Sequence, residues 1–450
     1  MRFVIVGGDA AGMSAASRAK RRRPEMEIIV LEQSRDVSYS ACGMPYNIAD
    51  PGCDMSVLVV REAEIFREKQ GIDVRLGHRA ERIDPAARTV TGRAEDGTPF
   101  TLSYDHLLLA TGARAIMPDL PGFDLPGVFS LKSLEDGRCI KAFLGQQPVS
   151  RAVILGMGYI ALEMTEALRT RGIEVAMVKP GPEFLPWLDR ALVPPLAAEL
   201  ETHDVVVHLG HCAERIEQTP TGLELVAGEL RLGADIVLSA VGVQPNSELA
   251  RDAGLSLGPG GAILVDRVGR TSDPNIHAAG DCATAYHVVT GRPAWIPLAL
   301  IANRAGWAVA DDICGSPTVL EGIAGTTVFK LFDLEIARSG LTAREATEAG
   351  FHPVTESIIT RSKAHGQPGA GEIHAHVVGD DASGRLLGAQ LVGPPGSSVH
   401  RIFAVAVALL AQLSVAQFAQ ADLAYAPPFG PVWDPLLTAS NQLQRKLSCT

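Results

Sequence analysis

Basic charge, long apolar runs and paired cysteines are all scarce in this chain. Lys plus Arg number 40 against 51 Asp plus Glu in 450 residues, a net charge of −11. Nonspecific nucleic-acid binding needs basic surface against phosphate, so that class of function is excluded. The longest apolar stretch, Ile402 to Leu413, is interrupted by Gln412 and falls short of the roughly 20 residues of a membrane span. It reads as a buried helix, and no membrane association is expected. The amino terminus enters an apolar strand at once, without the basic-then-hydrophobic plan of a cleavable leader. Seven cysteines (42, 53, 139, 212, 282, 314 and 449) form no C-x-x-C pair and no regular spacing. That speaks against a zinc site or a disulfide framework and for a reducing cytoplasm, with most of the thiols as small core residues. No low-complexity segment or short repeat interrupts the chain.

What is abundant is apolar material and turns: 46% hydrophobic residues, 45 glycines and 29 prolines. At about 150 residues per domain the length implies three domains. Short β-branched runs alternate with helical stretches, the pattern of a parallel α/β architecture. Phe3–Val6 reads as a buried strand, Gly7 to Gly12 as a turn into a helix reaching about Arg22, and Ile28–Leu31 as a second strand ending at Glu32. The strand His106–Ala110 closes on Thr111 and Gly112. The plan then repeats: strand Ala152–Leu155, a turn carrying Gly156 and Gly158, a helix to about Arg171, and strand Glu174–Val178. Two dinucleotide-binding units result. After Thr326 an α+β tail follows, with strands near 327–332, 373–379 and 386–392 and a helix near 398–412.

Each glycine turn is a candidate pyrophosphate cradle, because backbone amides and the helix dipole at such a turn favour negative charge. The first has Gly7 and Gly12 at the outer fingerprint positions but Asp9 at the middle one, with Glu32 placed to accept from an adenosine ribose. The second has Gly156, Gly158 and the permitted Ala161, and its strand runs into Lys179 where an acid would favour NAD. A cation there suits a 2′-phosphate; an exposed lysine with no ligand is the equal alternative, so NADH and NADPH both stay open.

Two glycine turns, Ala110-Thr111-Gly112 and Gly280-Asp281, in this order, resemble the two-dinucleotide-binding flavoprotein disulfide reductases. Val241–Ala250, with Gly242, belongs to the same resemblance. It implies FAD on a discontinuous first domain (1–115 and 250–325), NAD(P)H on a second (116–249), and a C-terminal α+β dimerisation domain (326–450). It further implies that Asp281 meets the ribityl chain and that Glu163 faces the nicotinamide, with Tyr159 and Ile160 as further cofactor contacts.

Within Ser38–Tyr46 one thiol, Cys42, stands out. The fifth position after it, where two-cysteine reductases carry their second thiol, is Asn47; Cys53 is a remote alternative beyond a Pro-Gly turn. A lone redox thiol stores oxidation as a sulfenic acid or a mixed disulfide. The segment resembles the single-cysteine branch of the family, which comprises coenzyme A disulfide and persulfide reductases, NADH oxidases and NADH peroxidases. The peroxidases and the water-forming oxidases resemble one another in carrying a histidine where this chain has Ala10, which turns the expectation toward thiol substrates. Ser14, Arg18 and Arg21 share one helix face at i, i+4, i+7, and the resemblance places coenzyme A phosphates there, with Ser38, Asn303 and Arg304 as further contacts. A solvated basic face is the plain alternative. Asp422–Pro435 also matches the branch and implies that Tyr425 reaches a partner subunit's site in a homodimer, where it hydrogen-bonds near the sulfur as acid or orienting group; packing of the dimer interface is the plain alternative. The tyrosines expected after a histidine are absent, since Ala364 to Pro368 contains Gly366 and Gln367, leaving His365 alone. His374 and His376 alternate on a strand without a third ligand, and no metal site is read. The expected activity is reduction of coenzyme A disulfide, or a related small disulfide or persulfide, by NAD(P)H through FAD and Cys42. An NADH oxidase and a non-catalytic redox-sensing flavoprotein are the alternatives. The chain ending at 450 leaves no room for an appended sulfurtransferase domain.

Overall fold

The computed structural model describes residues 1–448, so Cys449 lies outside it. Three five-stranded sheets organise the chain. In the first, strands are ordered Ile276–Ala278, His106–Leu109, Arg2–Val6, Glu27–Leu31 and Asp73–Arg75, all parallel. In the second the order is Val205–Leu209, Glu174–Lys179, Arg151–Leu155, Ile236–Ser239 and Val128–Ser130, again all parallel. Their apolar runs are continuous rather than alternating because helices or a second sheet cover both faces. In the first sheet, for instance, Phe3 and Ile5 pack toward helix Ala10–Arg22, while Val4 and Val6 pack on the other side.

Each parallel unit also carries a three-stranded antiparallel sheet not anticipated from the sequence, over 78–103 and 215–234. The third five-stranded sheet is antiparallel, in the order Thr327–Leu331, Leu334–Gly340, Leu386–Gly393, Glu372–Asp380, Pro353–Arg361. Its second and last strands were also missed. Pro353–Arg361 is an edge strand of mixed exposure, so no continuous apolar run marks it.

Two features of packing position the site. Helix Ala10–Arg22 is built from small residues and crosses helix Ala299–Ile313 so closely that a Cβ on Gly306 would lie 2.2 Å from the Ala11 carbonyl oxygen. The segment after Cys42 is pinned onto the second parallel unit: Met44, Ile48 and Met55 share its core, Lys141 holds Asn47, and Arg171 donates to the Ile48 carbonyl at 3.0 Å.

The expectation of a buried helix over Ile402–Leu413 is corrected. The helix spans Val399–Leu410; Ile402, Val405 and Leu409 are buried, but Phe403, Val407 and Leu410 are 54, 66 and 47% exposed on its opposite face. Apolar residues on both sides of a helix do not reveal which side the chain itself covers. Among the described residues no helix is long and apolar enough to cross a membrane.

Candidate active site

The first glycine turn is dictated by backbone contact. Gly7 has φ +111°, and a Cβ on Gly12 would sit 1.9 Å from the Gly7 carbonyl oxygen, so helix and strand approach only with hydrogen at that position. Glu32, at the end of its strand, accepts the Gly8 amide at 2.7 Å and the Ser34 amide at 2.8 Å. Opposite, Thr111 donates to the Asn246 carbonyl at 2.6 Å and Asn246 donates to the Thr111 carbonyl at 2.9 Å. This ties the turn at Gly112 to the Val241–Ala250 segment, where Gly242 takes φ +135°. Asp281 accepts from Lys132 at 2.8 Å. Gly7, Glu32, Thr111, Gly112, Asp281 and Lys132 all line one connected cavity of about 2550 Å³, together with Tyr159, Ile160 and Glu163. A Cβ on Gly112 would meet nothing within 4 Å, so this wall is open for a ligand to approach the backbone. Lys132, the cation that pairs with Asp281, was missed from sequence because it sits in no glycine motif.

Asp9 was read as a blemish in the fingerprint. In the structure it stands at the N-cap of helix Ala10–Arg22, its carbonyl accepting the Met13 amide at 2.9 Å, while its side chain makes no capping bond; instead Oδ1 accepts the Tyr39 amide at 3.2 Å. Burial raises its carboxyl to about 6, with Glu32 and Asp281 adding to the rise and the Tyr39 amide and Lys132 opposing it.

Cys42 occupies the short 3-10 turn Ala41–Gly43 and is exposed to the same cavity. A side chain at Gly43 would strike Leu58 at 2.6 Å, so the turn is held tight behind the thiol. Desolvation by the cavity walls raises the thiol first, then the charge of Glu163; Lys132 lowers it. Tyr46 donates to Glu163 at 2.9 Å, linking the thiol's own segment to the second unit. Cys53 is free and accepts from Asn47 at 3.1 Å. The six described cysteines are all free thiols.

A second, smaller cavity of about 320 Å³ adjoins the first and brings together Ser14, Arg21, Ser38 and Asn303, four of the six residues expected to meet coenzyme A. Ser14 donates to Asn303 at 2.6 Å across the close helix crossing, and Ser38 takes φ +52°. Arg61, Phe66 and Trp307 complete its walls; scattered singly along the sequence, they gave no signal.

Arg18 and Arg304 depart from the expected coenzyme A contacts. Arg18 does not face this cavity free: it grips the buried Asp311 through two bonds of 2.6 and 2.7 Å, and Arg22 reaches the same carboxylate. Arg304 lines the large cavity rather than the small one. Lys179 donates to the Glu183 carbonyl of its own loop at 2.7 Å. Gly156, with φ +104°, and Gly158 open helix Tyr159–Thr170 as expected, but neither lines the large cavity. Tyr425 is 48% exposed and lines neither cavity within its own chain, and His365 is exposed as well. His376 is buried, bonded to Ser357 at 2.7 Å and 3.5 Å from Asp189, while a different trio, Glu199, His203 and Asp333, brings ligand-type atoms within 4.8 Å.

Residues 1–306 match the model of the pyridine nucleotide-disulphide oxidoreductases, and 326–435 match their dimerisation domain. The chain belongs to this family. It is 39% identical to the NAD(P)H sulfur oxidoreductase (CoA-dependent) of Pyrococcus abyssi, over 98% of both chains. It is 32% identical to the NADH oxidase of Methanocaldococcus jannaschii over the full length of both. Among solved structures, the NAD-dependent persulfide reductase of A. fulgidus superposes with a TM-score of 0.95 at 35% identity, covering 99% of this chain and 83% of that one. Pyridine nucleotide-disulphide oxidoreductases use FAD and NAD(P)H, and the open glycine turn, Glu32, Lys132 and Asp281 form a lining chemically suited to a dinucleotide.

Proposed function

We propose that this member of the family is an NAD(P)H-dependent reductase of coenzyme A disulfide or persulfide that works through Cys42 alone, in a reducing cytoplasm. The observation that carries the reading is an exposed, unpaired thiol on the wall of the large cavity, beside a second cavity furnished with Ser14, Ser38, Asn303 and the guanidinium of Arg21. Arginine suits phosphate through its planar fork of donors, and a phosphorylated thiol carrier is a ligand that needs both features. The domain assignment (FAD on 1–115 with 250–325, NAD(P)H on 116–249, dimerisation on 326–450) is supported by the separate five-stranded sheets. FAD would lie along Gly7–Gly12, Glu32, Lys132, Thr111–Gly112 and Asp281, and when bound it supplies the two-electron link between nicotinamide and sulfur.

The chain's own residues do the sulfur chemistry. The Cys42 thiolate attacks one sulfur of the substrate; its bond to that sulfur forms as the substrate S–S bond breaks, and one thiol departs. The electron pair of NAD(P)H then cleaves the Cys42–substrate disulfide and frees the second thiol, so that RSSR, NAD(P)H and one proton give two RSH and NAD(P)⁺. Coenzyme A persulfide gives hydrogen sulfide and coenzyme A by the same steps. Tyr425 of the partner subunit orients the sulfur at a site that two copies complete, consistent with the exposed apolar stripe Phe403, Val407 and Leu410 beside the large cavity. Rapid-mixing reduction by NADH or NADPH, followed by reoxidation with coenzyme A disulfide, its persulfide or oxygen, tests the reading. Reoxidation by a sulfur substrate that disappears in Cys42→Ser is expected. Reoxidation fastest with oxygen and unchanged in that variant would establish the oxidase instead.

A further inference from the structure

We infer that Asp9 is the proton donor to the thiol expelled when Cys42 attacks its substrate, acting through the wall that separates the two cavities. The inference rests on the reductase reading above and adds to it the source of a proton. Three residues line both cavities: Asp9, Ala10 and Tyr39. Ala10 has no proton to give. The Tyr39 phenol is pushed upward by burial and by the charges of Asp9 and Glu32, which makes it a poor acid. Among the described residues Asp9 is the only carboxyl that lines both spaces.

Its bonding leaves it free to act. As the residue preceding helix Ala10–Arg22 it would ordinarily cap that helix, yet its side chain makes no capping bond. Oδ1 accepts the Tyr39 amide, and among the described residues the carboxyl has no other hydrogen-bond partner. The charged groups around it come from every neighbouring element. Glu32 ends one strand, Asp281 follows another, Lys132 lies beyond a strand of the second unit, and Cys42 sits on its own turn. On the side of the small cavity stand Arg21 and Arg61. Burial first, and then the charges of Glu32 and Asp281, raise the Asp9 carboxyl to about 6. A protonated Asp9 also removes one negative charge from the surroundings of Cys42, favouring the attacking thiolate.

The balance of the step is simple. The Cys42 sulfur donates an electron pair to the near sulfur of the disulfide, the S–S pair moves to the far sulfur, and that sulfur takes the Asp9 proton. The carboxylate is reloaded from water, which supplies the one proton that the overall reaction consumes. An alkyl thiol has a pKa of about 8.5, so its thiolate gains from a donor at the moment of departure. An aryl thiolate such as nitrothiobenzoate leaves without one.

The test compares wild type with Asp9→Asn and Asp9→Glu, each loaded with FAD and checked for cofactor content. Expected is a fall of about a hundredfold in kcat/KM for coenzyme A disulfide in Asp9→Asn. The loss should be at least tenfold smaller on the aryl disulfide, with Asp9→Glu recovering part of the rate. Independently of turnover, alkylation of Cys42 by iodoacetamide across pH should show a second inflection near the carboxyl's titration in wild type and lose it in Asp9→Asn. Equal losses on both disulfides, no loss on either, or an unchanged alkylation profile overturns the inference. A wild-type enzyme that turns over neither disulfide overturns the reductase reading instead.

Discussion

Arg18→Ala and Arg21→Ala, on the same helix face, are expected to fail in different ways. Arg18 binds Asp311 bidentately at 2.6 and 2.7 Å, and the Asp311 side chain has no solvent exposure. Burial would raise that carboxyl, but bonds from Arg18 and Thr318 and the charges of Arg18 and Arg22 bring it below the usual carboxylate range. Removing one partner of a buried pair costs about 3–5 kcal/mol when the other charge is stranded. Here Arg22 at 2.6 Å and Thr318 at 2.7 Å still hold Asp311, and Arg18 is itself 28% exposed, so screening leaves roughly 1–2 kcal/mol. That corresponds to a fall of about 3–6 °C in the melting of the first parallel unit. The KM for coenzyme A disulfide should move little. Arg21 has no ion-pair partner among the described residues and lines the small cavity, so Arg21→Ala should change the melting temperature by less than about 1 °C. Loss of a charge-assisted bond to phosphate, about 1.5–2 kcal/mol, should raise KM roughly 10- to 30-fold. Differential scanning fluorimetry of the holoenzyme beside steady-state kinetics reads both quantities. If Arg18→Ala raises KM tenfold without loss of stability, or Arg21→Ala melts early with KM intact, the assignment of the two guanidiniums is refuted.

Two further outcomes follow from the same geometry. Gly12→Ala places a methyl group 1.9 Å from the Gly7 carbonyl, so the purified protein should lack bound FAD by its visible absorbance; a normal flavin spectrum would refute the close approach. Burial would raise the Asp312 carboxyl, but bonds from His277 at 2.9 Å and Arg270 bring it down to about 2. A carboxyl lowered on folding contributes stability above its unfolded pKa, near 4, and loses it as pH falls toward its folded value. The melting temperature of Asp312→Asn should therefore lie below wild type at neutral pH and converge with it below about pH 4. A gap that stays constant with pH would show that the charge is not its source.

Much of the architecture was legible because it depends on local backbone demands. Gly7 and Gly12 are required where the strand and helix touch, and β-branched runs such as Phe3–Val6 fit only a sheet covered on both faces. The isolation of Cys42 was legible too, since Asn47 stands where a second thiol would be needed. Periodicity placed Ser14, Arg18 and Arg21 on one face correctly. It could not say that Asp311, 293 residues away in sequence, claims Arg18, while Arg21 lines the small cavity with no ion-pair partner among the described residues. The acidity of Asp9, the pairing of Lys132 with Asp281, and the exposure of Phe403, Val407 and Leu410 were likewise settled only when distant elements packed together. Sequence spacing encodes which conformations a segment can adopt and which residues share its face. What each side chain meets there, and so whether a charge is spent on structure or kept for chemistry, depends on neighbours that only the folded chain brings within reach.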